Sequence, residues 1–585
     1  MKLWSISTTV RNPYRLKDFL MTLRELDGKE WNQGTQIKFQ TLLIQNRFYT
    51  PTASGLTDEQ IDILDDPTYP MTYDEAYEIF MDKNYEDPAM RGRTSFKPFE
   101  KWGLAFIVDH RVYITSTGKK LINNEITMED VCFRSFLKWQ YPDDSSSDFR
   151  EGYNIKPFIA TLHLIKEVNN LCIERGIKPV GINKDEFGIF ALTLTDYRKV
   201  KEQAIKLLEY RKELSEAEDP RVFKEQYILE NLSDFSNATV DNIKDYQDNA
   251  IRYFRLTKYV YIRGGGWYID LEPRRQIELD LLLNQDKGSA VEFTREEYID
   301  YMGNYNSYVL PWETETELTK IFDNIKEEVT SLQKDLEAEE IILDAKNSIE
   351  DNIETLREER KKLQNLKLKK DYADIEKIEE AMASFDNIRN LPEKPSVALE
   401  KWTNIALNIL NDAIEIKPNS PVGDDGEILF TAPGSVPDIE FRYSDFSGIA
   451  EVTMLTGRDQ WYNEGQPVQR HLRDYEEQND LVNYCLFISP RLHRDTMNTF
   501  WTAIKYEFEG EKQNIVPLNL QQFSSLLSVV IELKKKGKRF KHEYLRNLYD
   551  SILDINGIKT SQEWVDSIPA KISSWKTACV NMWGV

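Results

Sequence analysis

Alternating polar and apolar positions predict a β-hairpin between residues 436 and 455. Residues 438–443 alternate polar and apolar side chains, which is the period of a half-buried strand. Residues 444–448, Ser-Asp-Phe-Ser-Gly, are typical of a turn, and residues 449–455 predict a second, mostly apolar strand. Glu451 is the exception in that strand, because an ionised carboxylate among apolar side chains costs several kcal/mol unless a partner compensates it.

The hairpin also predicts a pair of carboxylates. Asp438 opens the first strand, so the antiparallel pairing brings it close to Glu451. An Arg or Lys partner would make Glu451 a purely structural charge. A divalent cation between the two carboxylates would instead make a metal site, and oxygen-only ligands in an open site suit Mg²⁺.

The segments around the hairpin predict an α/β domain with a mixed central sheet. We expect helices over 397–410 and 520–534, and a third that begins at Gln466 with Pro467 in its first turn. Short strands are expected at 427–430, 484–489 and 514–518. The order αβββαβ followed by βα is close to the core of the restriction-endonuclease-like fold.

The first half of the chain contains two similar patterns of helix, hairpin and helix, which resemble winged-helix modules. The first covers residues 99–121, with strands at 104–108 and 112–115; the second covers 249–283, with a turn at Gly264–Gly266. Residues 184–212 add a helix-turn-helix outline. Basic side chains in and near these patterns are candidate DNA contacts, with a solvated helix face as the equally plain alternative: Arg91, Arg93, Lys97, Arg111, Arg252, Arg255, Lys258 and Arg263.

The region from 313 to 389 is rich in Glu, Lys, Leu and Ile, which predicts long charged helices in a hairpin or bundle. A spacer is the simpler interpretation, and a dimerising coiled coil is the alternative. We therefore expect a multidomain α+β protein with four parts. These are an N-terminal recognition subdomain with a winged helix (1–150), a second recognition subdomain with a helix-turn-helix or winged helix (151–310), a helical linker (311–392) and a C-terminal domain (393–585).

Composition narrows the setting. The chain has 585 residues and four scattered cysteines without a Cys-x-x-Cys pair, which argues against a zinc ribbon or a disulfide framework. It lacks both the apolar run of a signal peptide and a stretch long enough to span a membrane, so we expect a cytoplasmic protein without a membrane partner. The net charge of −24 argues against nucleic-acid binding by the chain as a whole but says nothing about one local face.

Several motifs together resemble the AlwI family of type IIS restriction and nicking endonucleases. They are Val-Pro-Asp-Ile-Glu at 436–440, Gly-Ile-Ala-Glu-Val-Thr at 448–453, Pro-Val-Gln-Arg-His-Leu at 467–472 and Tyr-Cys-Leu-Phe-Ile-Ser-Pro at 484–490. Phe136–Pro142 and Arg252–Thr257 resemble the recognition half of the family. The resemblance implies a bacterial DNA endonuclease with a C-terminal PD-(D/E)xK nuclease domain.

The resemblance also implies roles for residues. Asp438 and Glu451, with Glu400 on the preceding helix, fall on metal-binding positions for Mg²⁺, and His471 and Glu464 fall near the catalytic site. Thr453 stands where the motif usually has Lys, so another group must supply that charge: His471, Arg470 or a second metal ion. The implied partners are double-stranded DNA, a cognate DNA methyltransferase, and either a second catalytic subunit or a transient homodimer unless the enzyme only nicks.

Two other interpretations stay open from the sequence. A non-catalytic DNA-binding regulator, with two winged helices and a coiled-coil dimeriser, explains residues 91–390 but not the paired carboxylates. A repair nuclease that selects DNA structure explains the carboxylates but needs no sequence preference.

Overall fold

The computed structural model describes residues 1–581, except 7–9, 11–13, 67–68, 144–148, 150, 264–267, 345, 373, 392–394, 411, 421–431 and 433–435. The chain divides into two compact units. The first unit comprises Met1–Tyr261 and Tyr268–Glu317, and the second comprises Leu318–Val585 with Ile262–Trp267. The division falls close to the expected start of the linker at 311, while the finer division into four parts stays a prediction. In the described part of the chain, none of the helices has the length and apolar character needed to cross a membrane.

The first unit is mainly helical. Its α-helices are α1 (Arg15–Leu23), α2 (Gln33–Gln45), α3 (Asp58–Asp65), α4 (Tyr73–Asp82), α5 (Pro88–Lys101), α6 (Ser116–Ile122), α7 (Met128–Lys138), α8 (Pro157–Glu174), α9 (Lys184–Glu186), α10 (Val200–Glu216), α11 (Pro220–Asn231), α12 (Val240–Leu256), α13 (Gln276–Gln285) and α14 (Arg295–Gly303). Several begin with a capping box, in which the N-cap side chain and the third helical side chain bond to each other's backbone N–H; Thr72 with Glu75 and Thr294 with Glu297 are examples.

Two small sheets of the first unit correspond to the two expected wings. Strands β1 (Ala105–Val108) and β2 (Arg111–Ile114) pair antiparallel through a turn in which Asp109 and His110 have positive φ. Strands β4 (Val260–Arg263) and β5 (Tyr268–Leu271) join β3 (Ile182–Asn183) in a sheet of order β3-β5-β4. Strand β3 was not expected from the sequence. The expected turn at Gly264–Gly266 lies outside the described residues. The winged-helix assignment itself stays a prediction.

The second unit contains the mixed sheet. Its helices are α15 (Glu315–Leu336, which begins just before the division), α16 (Ile349–Asp371), α17 (Ile375–Asp386), α18 (Pro395–Ile409), α19 (Arg458–Glu476), α20 (Arg494–Lys505), α21 (Leu520–Lys535), α22 (His542–Leu553) and α23 (Ser561–Asn581). Its strands are β6 (Glu415–Pro418), β7 (Ile439–Arg442), β8 (Phe446–Val452), β9 (Val482–Ser489) and β10 (Ile515–Asn519).

The sheet order is β10-β9-β8-β7-β6. Strands β8, β9 and β10 run parallel, and β7 is antiparallel to both of its neighbours, so the sheet is mixed as expected. The described elements from α18 onward follow the expected order αβββαβ and then βα. The first strand is β6 at Glu415–Pro418, whereas the expected strand at 427–430 lies outside the described residues.

Two local expectations for the second unit are wrong. Phe446, Ser447 and Gly448 belong to strand β8 and not to a turn; the chain reverses at 443–445. Gly448 is required by packing, because a Cβ there would lie 2.1 Å from the carbonyl oxygen of Tyr484 on β9. Helix α19 begins at Arg458, so Pro467 lies in its interior. A proline there removes one backbone hydrogen bond, but the buried face of α19, which includes Val468 and Leu472, outweighs that loss.

The linker helices are present, but α15 and α16 do not form a hairpin, which was one of the two expected arrangements. Glu328 of α15 pairs with Arg360 of α16 at 2.6 Å, and Asp335 pairs with Lys367 at 3.0 Å. The second pair lies further along the chain than the first on both helices, so α15 and α16 run in the same direction. In a hairpin, the residue of the second pair would lie earlier on α16 than the residue of the first pair.

Candidate active site

The hairpin of β7 and β8 brings Asp438 and Glu451 to one edge of the sheet. Ile439 pairs with Ala450, so Asp438 immediately precedes this pair and Glu451 immediately follows it. The backbone N–H of Val452 donates to Asp438 Oδ2 at 2.8 Å, which fixes the Asp438 carboxylate beside the end of β8. Glu451 is buried and Asp438 is half-buried.

Glu400 reaches the same edge from helix α18. Its carboxylate accepts hydrogen bonds from the hydroxyl of Ser420, two residues beyond β6, and from the backbone N–H of Ala432 at 3.0 Å. Because β6 is antiparallel to β7, the end of β6 and the start of β7 meet at one edge. Ser420 and Ala432 were not anticipated, because neither has a pattern that marks it as a partner of a distant Glu.

Helix α19 supplies the two remaining candidates. The Nδ1 atom of His471 lies 2.8 Å from Glu451 Oε1, and the His471 side chain is buried. Glu464 lies two turns earlier on α19, where the hydroxyl of Thr453 hydrogen-bonds to its carboxylate. The Thr453 oxygen also accepts the backbone N–H of Leu455 at 3.1 Å. Thr453 thus links the end of β8 to α19, and it carries no charge to replace the motif's Lys.

Burial raises the pKa of all three carboxyl groups, and acidic neighbours raise the pKa of Asp438 and Glu451 further. Burial, and then the charges of Glu451 and Glu400, raise the pKa of Asp438 well above its usual range. Burial, and then Glu464 and Glu400, do the same to the pKa of Glu451. Burial raises the pKa of Glu400 to about 7, against the opposing hydrogen bonds from Ser420 and Ala432. Deprotonating this cluster therefore concentrates negative charge in a place with little solvent.

The neighbouring groups on α19 only partly offset this charge. Burial raises the pKa of Glu464, while Thr453 and His471 act in the opposite direction. Burial, and then the charge of Arg470, lower the pKa of His471, so its neutral form is favoured although Asp474 and Glu464 oppose this. The other ring nitrogen of His471, Nε2, is buried without a hydrogen-bond partner among the described residues. An orphaned nitrogen beside a carboxylate cluster is a place for a ligand or a water.

The donor set fits a hard divalent cation. Among the described residues, neither Lys nor Arg forms an ion pair with Asp438, Glu451 or Glu400; the ion pair with His471 belongs to Glu451 alone. No three of these side chains have ligand atoms all within 4.8 Å, a spacing that the described chain shows only for Asp412, His542 and Glu543. Mg²⁺ is commonly held by one or two carboxylates together with waters and phosphate oxygens, so the pair Asp438 and Glu451 suffices, with Glu400 beside it.

The basic candidates of the first half lie in varied surroundings. Three already pair with carboxylates: Arg93 with Asp87 at 2.5 Å, Lys97 with Glu100 at 2.8 Å and Arg252 with Asp248 at 2.9 Å. Contact with DNA would replace these ion pairs.

The other five basic candidates have surroundings that differ from one residue to the next. The Arg91 guanidinium lies 4.3 Å from the ring centre of Tyr85, and Arg111 donates to the carbonyl of Gly28 at 2.9 Å. Burial lowers the pKa of Arg255 to about 10, whereas Lys258 is exposed. The side chain of Arg263 lies outside the described residues. The role of all eight residues in DNA binding stays a prediction.

The chain is similar in sequence to a family of known proteins. The sequence profile of the AlwI restriction endonuclease family matches residues 101–526, which include every acidic residue of the sheet edge described above. The fold and the site thus belong to a DNA endonuclease of the restriction type. The chain is a member of the AlwI restriction endonuclease family, as the sequence motifs indicated. This membership favours the nuclease over the non-catalytic regulator.

Two solved structures are similar to parts of the chain. The small subunit R.BspD6I2 of the heterodimeric restriction endonuclease R.BspD6I is 22% identical, with a TM-score of 0.29 over 33% of this chain and 98% of that one. The BpuJ1 endonuclease binding domain, in complex with pyrene- and phenanthrene-modified DNA, is 12% identical, with a TM-score of 0.30 over 52% of this chain and 95% of that one. TM-scores this low carry no conclusion about this chain. The search among curated proteins found no match.

Proposed function

We propose that this chain is a type IIS endonuclease of the PD-(D/E)xK class, which binds a short asymmetric sequence in double-stranded DNA and hydrolyses a phosphodiester bond a few base pairs away. The observation that carries the catalytic part is the group of mutually repelling carboxylates at the edge of the mixed sheet, with no Lys or Arg ion pair among the described residues. Buried charges without a partner are rare in proteins, and a cation together with a phosphate would relieve the repulsion.

Each side chain of the site has a distinct part in this proposal. Asp438 and Glu451 would hold Mg²⁺, and Glu400 would be a third ligand or bind a second ion. Bound Mg²⁺ lowers the pKa of a water and neutralises charge that develops on the scissile phosphate. His471 holds the Glu451 carboxylate through Nδ1, and its Nε2 is free to contact a water or a phosphate oxygen. Thr453 positions Glu464, so the charge usually supplied by the motif's Lys falls to His471, Arg470 or a second ion.

The recognition of DNA is assigned to the first unit, through the basic residues around its two hairpins. Helices in the major groove are the usual way to read such a sequence. A DNA methyltransferase of the same system would protect the host's own sites. One nuclease domain cuts one strand, so the chain acts either as a nickase or with a second catalytic copy.

The test is cleavage of supercoiled plasmid with Mg²⁺ or EDTA, followed by run-off sequencing of both strands. We expect Mg²⁺-dependent breaks at a fixed distance from one short sequence, and breaks on a single strand would identify a nickase. A reaction order above one in enzyme on a one-site plasmid would indicate transient dimerisation. Breaks without a common sequence would support a structure-selective nuclease instead.

Two variants make the test specific to the site. Glu451→Gln should abolish the breaks and leave sequence-specific binding intact. Glu415→Gln makes the same chemical change on β6 at the opposite edge of the sheet, where the side chain is exposed, and should cleave at the normal rate. Normal cleavage by Glu451→Gln would remove the metal assignment.

A further inference from the structure

A cavity of about 730 Å³ lies in the second unit, at the loops that follow β8 and β9. Thr456 and Gly457 line it from the first loop, and residues 490–494 line it from the second. Because β8 and β9 are parallel, both loops leave the sheet at one edge. Glu451 and Asp438 lie at that same edge, so the cavity belongs to the surface that carries the candidate active site.

The walls of this cavity are basic. Arg389, Arg491 and Arg494 all line it, and all three side chains are exposed. Their guanidinium groups make no hydrogen bond or ion pair with any residue that the structure describes. No Asp or Glu is among the described residues that line the cavity. Three arginines without a partner among the described residues stand out in a chain whose net charge is −24.

Two helix N-termini lie at the cavity. Arg494 is the first residue of α20 and Ser561 is the first residue of α23, and both line the cavity. The N-cap residue of α20, His493, makes no side-chain hydrogen bond to the first turn. Asp495 and Glu563 lie in the first turns of these helices, and the N–H of Glu563 donates to Thr560 Oγ1 at 3.2 Å, so the arginines and not the helix ends supply the positive character.

The wall is also built on a fixed support. The side chain of Gln460, on α19, is fully buried and bonds to both loops. Its amide nitrogen donates to the carbonyls of Leu455 at 2.8 Å and Arg491 at 2.9 Å, and its oxygen accepts the N–H of His493 at 2.8 Å. Both ends of this amide are therefore used to hold the loops that carry the basic residues.

We propose that this cavity binds the phosphodiester backbone of the DNA strand that lies across the active site. The inference rests on the proposed function and deepens it, because it assigns DNA contacts to the second unit. Of the eight basic residues that the sequence offered as DNA contacts, only Arg263 belongs to that unit. Guanidinium groups bind phosphate oxygens in bidentate pairs, and each such contact releases counterions from DNA. Phosphate is the shared chemistry; a DNA backbone is favoured because the cavity shares its edge with the carboxylates that face the scissile bond.

The experiment measures the affinity of the full chain for a duplex in EDTA at several salt concentrations. The duplex carries the site that run-off sequencing identifies or, if no breaks occur, a plasmid-derived fragment. For the Arg491→Ala/Arg494→Ala double variant, we expect the slope of log affinity against log salt to fall in magnitude by roughly 2, since each lost phosphate contact removes about 0.9. Arg389→Gln tests the third arginine separately, and Arg539→Ala is the matched control, an exposed arginine of the same unit outside the cavity.

A second arm identifies the contacted phosphate. Replacing single phosphates near the cut by uncharged methylphosphonates should weaken binding by the wild-type chain at one or two positions and leave the double variant unaffected there. This coupling is specific to a direct contact. Circular dichroism and thermal melting confirm that each variant is folded.

Every outcome is decisive for the cavity. An unchanged slope and no methylphosphonate coupling would overturn the proposal, and would leave a small phosphorylated molecule as the alternative occupant. An equal drop for Arg539→Ala would also overturn it, because the effect would then follow net charge. If the wild-type chain cuts DNA and the double variant has the same salt slope and the same response to methylphosphonates, only the cavity assignment fails. If the wild-type chain binds through the cavity without cutting, the proposed hydrolysis fails and the cavity stands.

Discussion

Two examples of buried charge, one from each unit of this chain, are compensated in opposite ways. In the first unit, Glu186 is almost completely buried and accepts two hydrogen bonds of 2.7 Å from the Arg211 guanidinium. A third bond, of 2.8 Å, comes from the backbone N–H of Asn183. Lys156 and Asp286 form a similar buried pair at 2.7 Å. These charges have partners of opposite sign, so folding alone explains them.

At the sheet edge of the second unit, the neighbours have the same sign. The charge of Glu400 raises the pKa of both Asp438 and Glu451, and none of the three has a Lys or Arg ion pair among the described residues. Such a cluster destabilises the protein in the absence of a ligand. The difference teaches that burial of a charged side chain is not itself a sign of function. What separates a binding site from structural packing is the missing counter-charge.

The largest effect should follow from neutralising Asp438. Asp438→Asn removes one ligand of the proposed metal ion, which contributes several kcal/mol to the transition state, so cleavage should fall by about 10³-fold or more. The metal-free variant should melt no lower than wild type, because a repelling charge is gone. Single-turnover cleavage at saturating DNA measures the first effect, and thermal melting in EDTA measures the second.

Asp480→Asn is the matched control, because Asp480 is exposed and precedes β9 at the other edge of the sheet. It should leave both quantities unchanged. A marked drop in the melting temperature of Asp438→Asn would contradict the comparison, since Asp438 would then be a structural charge like Glu186.

The next largest effect should follow from removing a paired buried charge in the first unit. Glu186→Ala leaves the Arg211 guanidinium without its carboxylate and removes the hydrogen bond to Asn183. Removing one partner of a buried pair costs about 3–5 kcal/mol of unfolding free energy. Urea denaturation followed by circular dichroism measures this loss. Cleavage per folded molecule, assayed well below the melting temperature, should stay within about twofold of wild type, and a loss near that of Asp438→Asn would remove the distinction between the units.

Two of the site's carboxylates could be found from sequence because hydrophobic periodicity isolates them, whereas Glu400 and Glu464 followed only from the family resemblance. Glu451 interrupts an apolar strand and Asp438 opens its neighbour, and the hairpin that joins them is present, although its turn comes earlier than expected. Helices α18 and α21 likewise follow from amphipathic runs that end where the pattern ends. Membership in the AlwI family, inferred from short motifs, is confirmed by the family profile.

What sequence reasoning missed depends on contacts between distant segments. Nothing near Ser420 or Ala432 marks them as hydrogen-bond partners of Glu400, and β3 is only two residues long. Pro467 suggested a helix start because local propensity favours it there, whereas packing carries α19 through it. The three arginines of the cavity lie on separate segments, so no local cluster of charge announces them. The parallel direction of α15 and α16 cannot follow from their heptad patterns, which fit either direction.

The smallest expected effect tests whether the buried charge of Glu400 is uncompensated, through the pH dependence of stability. Burial raises the pKa of Glu400 from 4.5 to about 7 in the folded protein. The protonated form is therefore favoured by folding, and this contribution is complete below about pH 4.5 and is lost as the pH rises through 7. Glu400→Gln keeps a neutral acceptor for Ser420 and Ala432. In EDTA, the unfolding free energy of this variant should therefore equal that of wild type at pH 4 and exceed it by about 3 kcal/mol at pH 8. Urea denaturation at the two pH values measures the difference, with Glu415→Gln, an exposed change in the same sheet, as the control that should show none. An equal effect of Glu400→Gln at both pH values would mean that the substitution acts through packing or hydrogen bonding, and that the charge of Glu400 in the metal-free protein is compensated as fully as that of Glu186.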